Sequence, residues 1–144
     1  MKKILLILCI NIFAFALTPF SLEGLHEAKV KISDKGKLLT KIEKKQLTAK
    51  IILKLQKTGL KTDTKLYSKI IIKVKSLKLK SKSIILISLF VIEDVRMLND
   101  IENIKMAITY KMDDFFEAED LKEDVTESIE YLVSEFIEQY NDEK

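Results

Sequence analysis

The most regular hydrophobic pattern of the chain lies between residues 66 and 96 and predicts two long β-strands. In the first, Ile70, Ile72 and Val74 alternate with polar or charged residues, as expected for a strand with one buried face. In the second, residues 84–92, both parities are almost entirely apolar. Because a strand of this kind is covered on both faces, the functional question is what covers its second face.

The apolar parity of the first strand changes after Val74, from even positions to the odd positions Leu77 and Leu79. A slip of one residue in the register turns every following side chain to the opposite face. The sequence therefore predicts a β-bulge near Lys75. The turn between the two strands is predicted at residues 80–83, which contain neither glycine nor asparagine, so a loop longer than two residues is expected.

A third strand is predicted after a turn at Asn99 and Asp100. Every even position from Ile104 to Met112 is apolar, and most odd positions are polar. This pattern is typical of an antiparallel strand that packs one face on the core. A shorter strand, in which Val30 and Ile32 alternate with polar residues, is predicted near the N-terminus.

Two amphipathic helices are predicted from their capping signals. Thr40 and Glu43 form a capping box for the first helix, and Gly59 is expected to follow its end. Asp120 and Glu123 form a capping box for the second helix. Its apolar stripe consists of Leu121, Val125, Ile129, Leu132, Val133, Phe136, Ile137 and Tyr140.

The predicted order of elements is β-α-β-β-β-α, and the predicted fold class is α+β. We expect an antiparallel sheet of three long strands and the short N-terminal strand, with both helices packed on one face. Residues 17–144 are predicted to form this single domain. Residues 1–16 have the basic start, the short apolar run and the small residues before Leu17 that are typical of a signal peptide.

Cleavage of the signal peptide near Ala16 predicts a periplasmic or secreted protein, and an uncleaved N-terminal anchor is the alternative. The single cysteine, Cys9, lies within the predicted signal peptide. The exported chain is therefore expected to hold no disulfide and no cysteine-based metal site.

The formal net charge of +3 is divided unevenly along the chain. Residues 17–92 carry 18 lysines against 5 acidic residues, whereas residues 93–144 carry 17 acidic residues against 5 basic ones. The two halves can neutralise each other in the fold, or they can leave a cationic surface that attracts anions. Since Arg96 is the only arginine and arginine is the main residue of base recognition, no nucleic-acid partner is predicted.

Few residues of the sequence can support catalysis. His26 is the only histidine, so neither a catalytic triad nor a histidine metal site is predicted, and no cofactor or enzymatic activity is expected. The acidic segment that contains Asp113, Asp114 and Glu117 is a weak candidate for a divalent cation. Its spacing does not match an EF-hand, and acidic residues before a helix are expected for the helix dipole alone.

The remaining candidate site is the face of the sheet without helices, where an apolar strip of the second long strand is flanked by lysines. The residues predicted to line this ligand or partner face are Lys69, Lys73, Lys75, Ile85, Ile87, Leu89, Val91, Lys105 and Lys111. The pattern leaves open which parity of the strand faces outward. It also leaves open whether residues 17–33 fold across this face.

An apolar strip rimmed by cations suits a protein partner, a homodimer or an anionic lipid. The sequence predicts a non-enzymatic binding or assembly module of the cell envelope that acts through the face or edge of its sheet. A soluble carrier of an anionic lipid or other amphiphile is the alternative. The outline is similar to that of outer-membrane lipopolysaccharide-assembly lipoproteins, but Cys9 lies too early in the apolar run to be a lipidation site.

Overall fold

The computed structural model describes residues 21–62, 67–80, 82–97 and 99–144, and the predicted signal peptide lies outside them. It confirms the α+β class. In the described part of the chain, no helix is long and apolar enough to span a membrane. The elements are β1 (Lys29–Asp34), α1 (Lys41–Lys57), β2 (Lys69–Leu79), β3 (Lys82–Met97), β4 (Asp100–Ala118) and α2 (Leu121–Asp142).

The four strands form one sheet in the order β1-β2-β3-β4. β1 runs parallel to β2, whereas the β2–β3 and β3–β4 pairs are antiparallel. The sheet is therefore mixed, and the predicted wholly antiparallel sheet is wrong in this respect. The reason is that α1 lies between β1 and β2 in the chain, and a crossover helix returns the chain to start its next strand in the same direction.

One hydrophobic core lies between the helices and one face of the sheet. The strand residues in it include Ile70, Ile72 and Val74 of β2, and α2 contributes Ile129 and Phe136, all almost fully buried. Burial of such apolar side chains is the main favourable contribution to folding. The core fixes which face of each strand lies under the helices, and therefore which face stays open.

The connection between β2 and β3 is shorter and more regular than predicted. The strands pair without interruption from Lys69 with Ile92 to Leu79 with Lys82, so only two residues connect them. Lys80 in this turn has a positive φ of 54°. The expected longer loop and the expected bulge near Lys75 are both wrong.

A β-bulge occurs instead between β3 and β4. Val91 pairs with Tyr110, but the next residue, Ile92, pairs with Ile108. Thr109 is therefore the extra residue of β4. Its hydroxyl donates a hydrogen bond to Glu93, and its carbonyl accepts one from the backbone N–H of Ser21.

The bulge reverses the orientation of the first half of β4. Tyr110 is buried in the core and Met112 packs against it. In contrast, Ile104, Met106 and Ile108 are 50–56% exposed. The prediction that all even positions of this strand face the core is wrong for these three residues, because one added residue moves the preceding side chains to the other face.

The N-terminal segment packs beside the core. Leu22, Leu25 and Ala28 are buried in it, and the backbone N–H of Leu22 donates a 2.6 Å hydrogen bond to Glu143 after α2. Residues 21–33 therefore do not fold across the open side of the sheet. Residues 17–20, which belong to the same prediction, lie outside the described residues.

The predicted helix ends are largely confirmed. Thr40 and Glu43 form the capping box of α1, and Gly59 adopts the positive φ of 89° expected after a helix end. Asp120 caps α2 by accepting hydrogen bonds from the N–H groups of Lys122 and Glu123. The N–H of Asp120, however, donates to the carboxylate of Asp124 rather than to that of Glu123.

The basic and acidic halves of the chain meet between the two helices. Lys50 of α1 lies 2.6 Å from a carboxylate oxygen of Glu130 in α2, and Lys122 of α2 pairs with Glu43 of α1. The pair of Lys50 and Glu130 neutralises part of the uneven charge, whereas Lys122 and Glu43 each lie in the half of opposite charge. Exposed pairs of this kind contribute little individually, about 0–1 kcal/mol.

The pair of Glu43 and Lys122 predicts a loss of stability in acid. The hydrogen bond from Lys122, followed by those from Thr40, lowers the pKa of Glu43 from 4.5 to about 2. Because the folded pKa lies below the unfolded one, this contribution is present above pH 4.5 and is lost as the pH falls toward 2. Glutamine can keep the capping box but not the ion pair.

We therefore expect Glu43→Gln to be less stable than the wild type at about pH 6 and to approach it at about pH 3. Urea unfolding followed by circular dichroism at both pH values measures the difference. The same difference at both would contradict a lowered pKa of Glu43.

Candidate functional site: the open face of the sheet

The side of the sheet that faces away from the helices, which we call the open face, is lined by alternate residues of all four strands. Contiguous exposed apolar surface of this kind marks interaction sites. Phe115, on β4, is 69% exposed. The apolar residues of the open face are Ile71, Leu77, Leu79, Ile84, Leu86, Phe90, Ile92, Ile104, Met106, Ile108 and Phe115.

The register arranges these side chains in rows that run across β2, β3 and β4. Paired residues of neighbouring strands lie side by side on the same face. Lys73, Ser88 and Asp113 form the central row. The rows on either side are Ile71, Phe90 and Lys111, and Lys75, Leu86 and Phe115.

One side of the open face is basic. Its lysines lie on β1 and β2, where the parallel register places Lys29 beside Lys69. The ion pairs of the described residues involve other lysines, of which Lys82 and Lys111 lie on the open face. The basic side consists of Lys29, Lys31, Lys69, Lys73 and Lys75.

The other side of the open face carries two carboxylates on β4. Asp113 pairs with Lys111 at 2.7 Å, and Glu117 pairs with Lys82 at 2.7 Å. Partial burial raises the pKa of Asp113, but hydrogen bonds from Lys111 and Ser88 outweigh this effect and lower the pKa overall. Asp113 therefore stays ionised near neutral pH, and the charge of Lys111 beside it balances its own.

Four apolar residues predicted for the open face lie in the core instead. Ile85, Ile87, Leu89 and Val91 are each 0% exposed. The apolar residues at even positions of β2 also face the helices. The register between β2 and β3 pairs them with odd residues of β3: Ile70 with Val91, Ile72 with Leu89 and Val74 with Ile87. Residues beneath the helices cannot contact a partner on the open face, so this part of the prediction is wrong.

The predicted lysines divide between the two faces. Lys69, Lys73, Lys75 and Lys111 lie on the open face. Lys105 pairs with Val95 and lies on the opposite side, because the bulge at Thr109 reverses the first half of β4. The same reversal places Ile104, Met106 and Ile108 on the open face, although they were predicted to lie in the core. The sequence around Thr109 contains no glycine that would have predicted a bulge there.

The three acidic candidates for a metal site do not converge. Asp113 and Glu117 lie on the open face, whereas Asp114, one residue away, lies on the helix side. There its carboxylate accepts a 2.6 Å hydrogen bond from the hydroxyl of Ser128. Within the described ranges, no group of three or more histidine, cysteine, aspartate or glutamate side chains is arranged to hold a metal ion.

Four depressions in the described part of the chain lie away from the apolar residues of the open face. One depression lies between β4 and α2 and one between the two helices. Another lies at the start of α2, and a fourth lies between β1 and α1. The open face itself offers a broad sheet surface, which suits contact with another surface better than enclosure of a small molecule.

No protein-family model matches this chain, and no curated protein shows significant similarity to it. The open face is therefore the main basis for inferring its function.

Proposed function

We propose that this chain is an exported, non-enzymatic binding or assembly module of the cell envelope and that its open face binds a protein partner. The observation that carries the proposal is the set of exposed apolar side chains on β2 and β4, from 50% at Ile108 to 69% at Phe115, beside half-buried apolar side chains of β3. Monomeric soluble proteins rarely leave large contiguous apolar patches in water. The signal-peptide pattern of residues 1–16 supports the envelope location.

A protein partner fits the form of this surface. Small-molecule sites bury most of their ligand in a concave pocket, whereas interfaces between proteins are broad, apolar at the centre and charged at the rim. The open face has apolar side chains along β2, β3 and β4, with unpaired lysines on one side and the ion pairs of Asp113 and Glu117 on the other.

A second candidate function, transport of an anionic lipid or other amphiphile, is favoured by the basic side alone. Five lysines on β1 and β2 lie beside apolar residues such as Ile71 and have no ion-pair partners among the described residues. They could bind an anionic head group while an acyl chain lies along β3. Such a chain would remain exposed on one side, which makes this candidate the weaker one.

The non-enzymatic part of the proposal is supported by the scarcity of groups suited to catalysis. His26, the only histidine, is exposed before β1. The open face has only Ser88 as a hydroxyl between Lys73 and Asp113, with no histidine to act as its base.

Protection of the open face in cells tests the proposal. Because Cys9 is the only cysteine and lies in the predicted signal peptide, Phe115→Cys is expected to give the exported chain one thiol on the open face. We expect this thiol to react with a maleimide several-fold more slowly in intact exporting cells than in dilute purified protein, since a bound partner excludes the reagent. The rate is measured by mass spectrometry.

Tyr131→Cys provides the matched control. Tyr131 is 54% exposed on α2, so its replacement places a thiol on the opposite side of the molecule. It should react at similar rates in cells and in purified protein. Equal rates for Phe115→Cys in both settings would show that the open face is unoccupied and would overturn the proposed function.

A further inference from the structure

We infer that the free end of β2, with the turn that follows β1, docks the protein on the surface of a bilayer that contains anionic lipid. This inference goes beyond the proposed function, which concerns a protein partner of the open face. We call the docking surface the sheet corner, and it consists of residues 75–80 with Lys35 and Lys37. It lies where the pairing of β1 with β2 has ended, at Asp34 and Val74.

The end of β2 projects beyond the rest of the fold. All five residues from Lys75 to Leu79 are exposed, whereas the preceding part of β2 alternates between partly buried and buried residues. Ser76 and Lys78 lie on the helix side of the strand, so their exposure shows that neither helix covers them. A projecting corner offers no groove to a peptide or a small ligand. A fluid bilayer, in contrast, can adapt its surface to it.

Two large apolar side chains of the sheet corner are exposed. Leu77 is 59% exposed and Leu79 is 52% exposed. Both lie on the open-face side of β2, about 7 Å apart along the strand. Segments that bind at a membrane interface bury their apolar side chains by about 5–10 Å at the boundary between head groups and acyl chains. Both leucines can therefore leave water together in a bilayer, whereas a dissolved anion would leave them exposed.

Lysines surround these two leucines. The turn after β1 lies against the end of β2, because a Cβ atom on Gly36 would be only 3.0 Å from Oγ of Ser76. The five exposed lysines of the sheet corner are Lys35, Lys37, Lys75, Lys78 and Lys80. Within the described ranges, none of them forms an ion pair. Long lysine side chains can hold their charge at the level of the lipid phosphates while neighbouring apolar residues enter the bilayer.

The acidic residues at this end of the sheet lie on the other side of β3. Glu117 of β4 pairs with Lys82 at 2.7 Å, and Glu119 and Asp120 follow between β4 and α2. Two strand spacings separate β2 from β4, which is about 10 Å and exceeds the screening length of about 8 Å at physiological ionic strength. An anionic bilayer therefore attracts the β2 side and repels the β4 side. This charge distribution orients the protein with the end of β2 toward the membrane.

Flotation with lipid vesicles tests the inference. The exported chain, purified without detergent, is mixed with phosphatidylcholine vesicles that contain or lack phosphatidylglycerol, and the bound fraction is measured over a range of lipid concentrations. We expect binding that is at least about tenfold stronger with phosphatidylglycerol and that weakens as the salt concentration rises. The double variant Lys75→Gln, Lys78→Gln should bind the anionic vesicles at least about tenfold more weakly.

The apolar part of the sheet corner is tested by the double variant Leu77→Ser, Leu79→Ser. It should also bind the anionic vesicles at least about tenfold more weakly, because less apolar surface leaves water. Since both leucines are more than half exposed, circular dichroism should show that this variant remains folded.

The double variant Lys57→Gln, Lys61→Gln is the matched control for charge. It removes two exposed lysines at the opposite end of the sheet, where the carbonyl of Lys61 accepts a hydrogen bond from Ala28 before β1. Its binding to the anionic vesicles should stay within about twofold of the wild type. An equal loss in both lysine variants would show that net charge, rather than the sheet corner, causes binding and would overturn the inference.

Absence of flotation, or flotation that does not depend on phosphatidylglycerol, would also overturn the inference. Neither result bears on the open face, whose test is the protection of Phe115→Cys in cells. Because Phe115 lies one row from Leu77, that labelling is repeated in the Leu77→Ser, Leu79→Ser background. Protection that persists there is due to the protein partner, and protection that disappears is due to docking on the membrane.

Discussion

Replacing Ile129 by aspartate is expected to unfold the protein. Ile129 is 0% exposed in the middle of the apolar stripe of α2. The substitution removes a buried aliphatic side chain and places a carboxylate in the core, which we expect to cost more than about 4 kcal/mol. Since single domains are stable by only about 5–15 kcal/mol, most of the folded population should be lost.

The measurement is far-UV circular dichroism with thermal unfolding. Tyr131→Asp, on the exposed side of the same helix, is the control for the effect of aspartate on helix propensity and should remain folded. An Ile129→Asp variant with an unchanged spectrum and melting temperature would contradict the packing of α2 against the sheet.

Two adjacent residues of β3 are expected to respond in opposite ways to the same substitution. Leu89 is 0% exposed beneath the helices, whereas Phe90 lies on the open face. Leu89→Asp should therefore lose more than about 4 kcal/mol of stability. Phe90→Asp should remain folded, with a loss of about 1–2 kcal/mol from poorer packing and strand propensity.

Urea unfolding of both variants measures the difference in their free energies of unfolding. Each variant is the control for the other, because both place an aspartate in the same strand. A folded Leu89→Asp and an unfolded Phe90→Asp would mean that the assignment of the two faces is reversed.

The open face results from the number of helices as much as from the sheet. Two helices pack on one face of the four strands. The N-terminal segment buries Leu22 and Leu25 in the same hydrophobic core. No described element remains to cover the other face. A strand such as β3, apolar on both faces, then leaves Leu86 and Phe90 on the side without helices, and this is the basis of the proposed binding function.

Local features of the sequence were sufficient to predict the helices, the strands and the α+β class of the fold. Helix ends follow from short-range hydrogen bonds, so Thr40, Glu43 and Asp120 identified both helices before any tertiary contact was known. The helical spacing of apolar residues identified the buried stripe of α2. The apolar run at residues 84–92 also predicted that β3 is covered on both faces.

Which face of β3 is open was decided only by the tertiary structure. With two residues between Leu79 and Lys82, the odd residues of β3 pair with the even, buried residues of β2. A loop longer by one residue would exchange the two faces, and the turn sequence carries no glycine or asparagine to fix its length. Likewise, the bulge at Thr109 turned Ile104, Met106 and Ile108 outward through pairing with β3. Alternation within a strand determines which side chains share a face, but only the register with the next strand determines which face the helices cover.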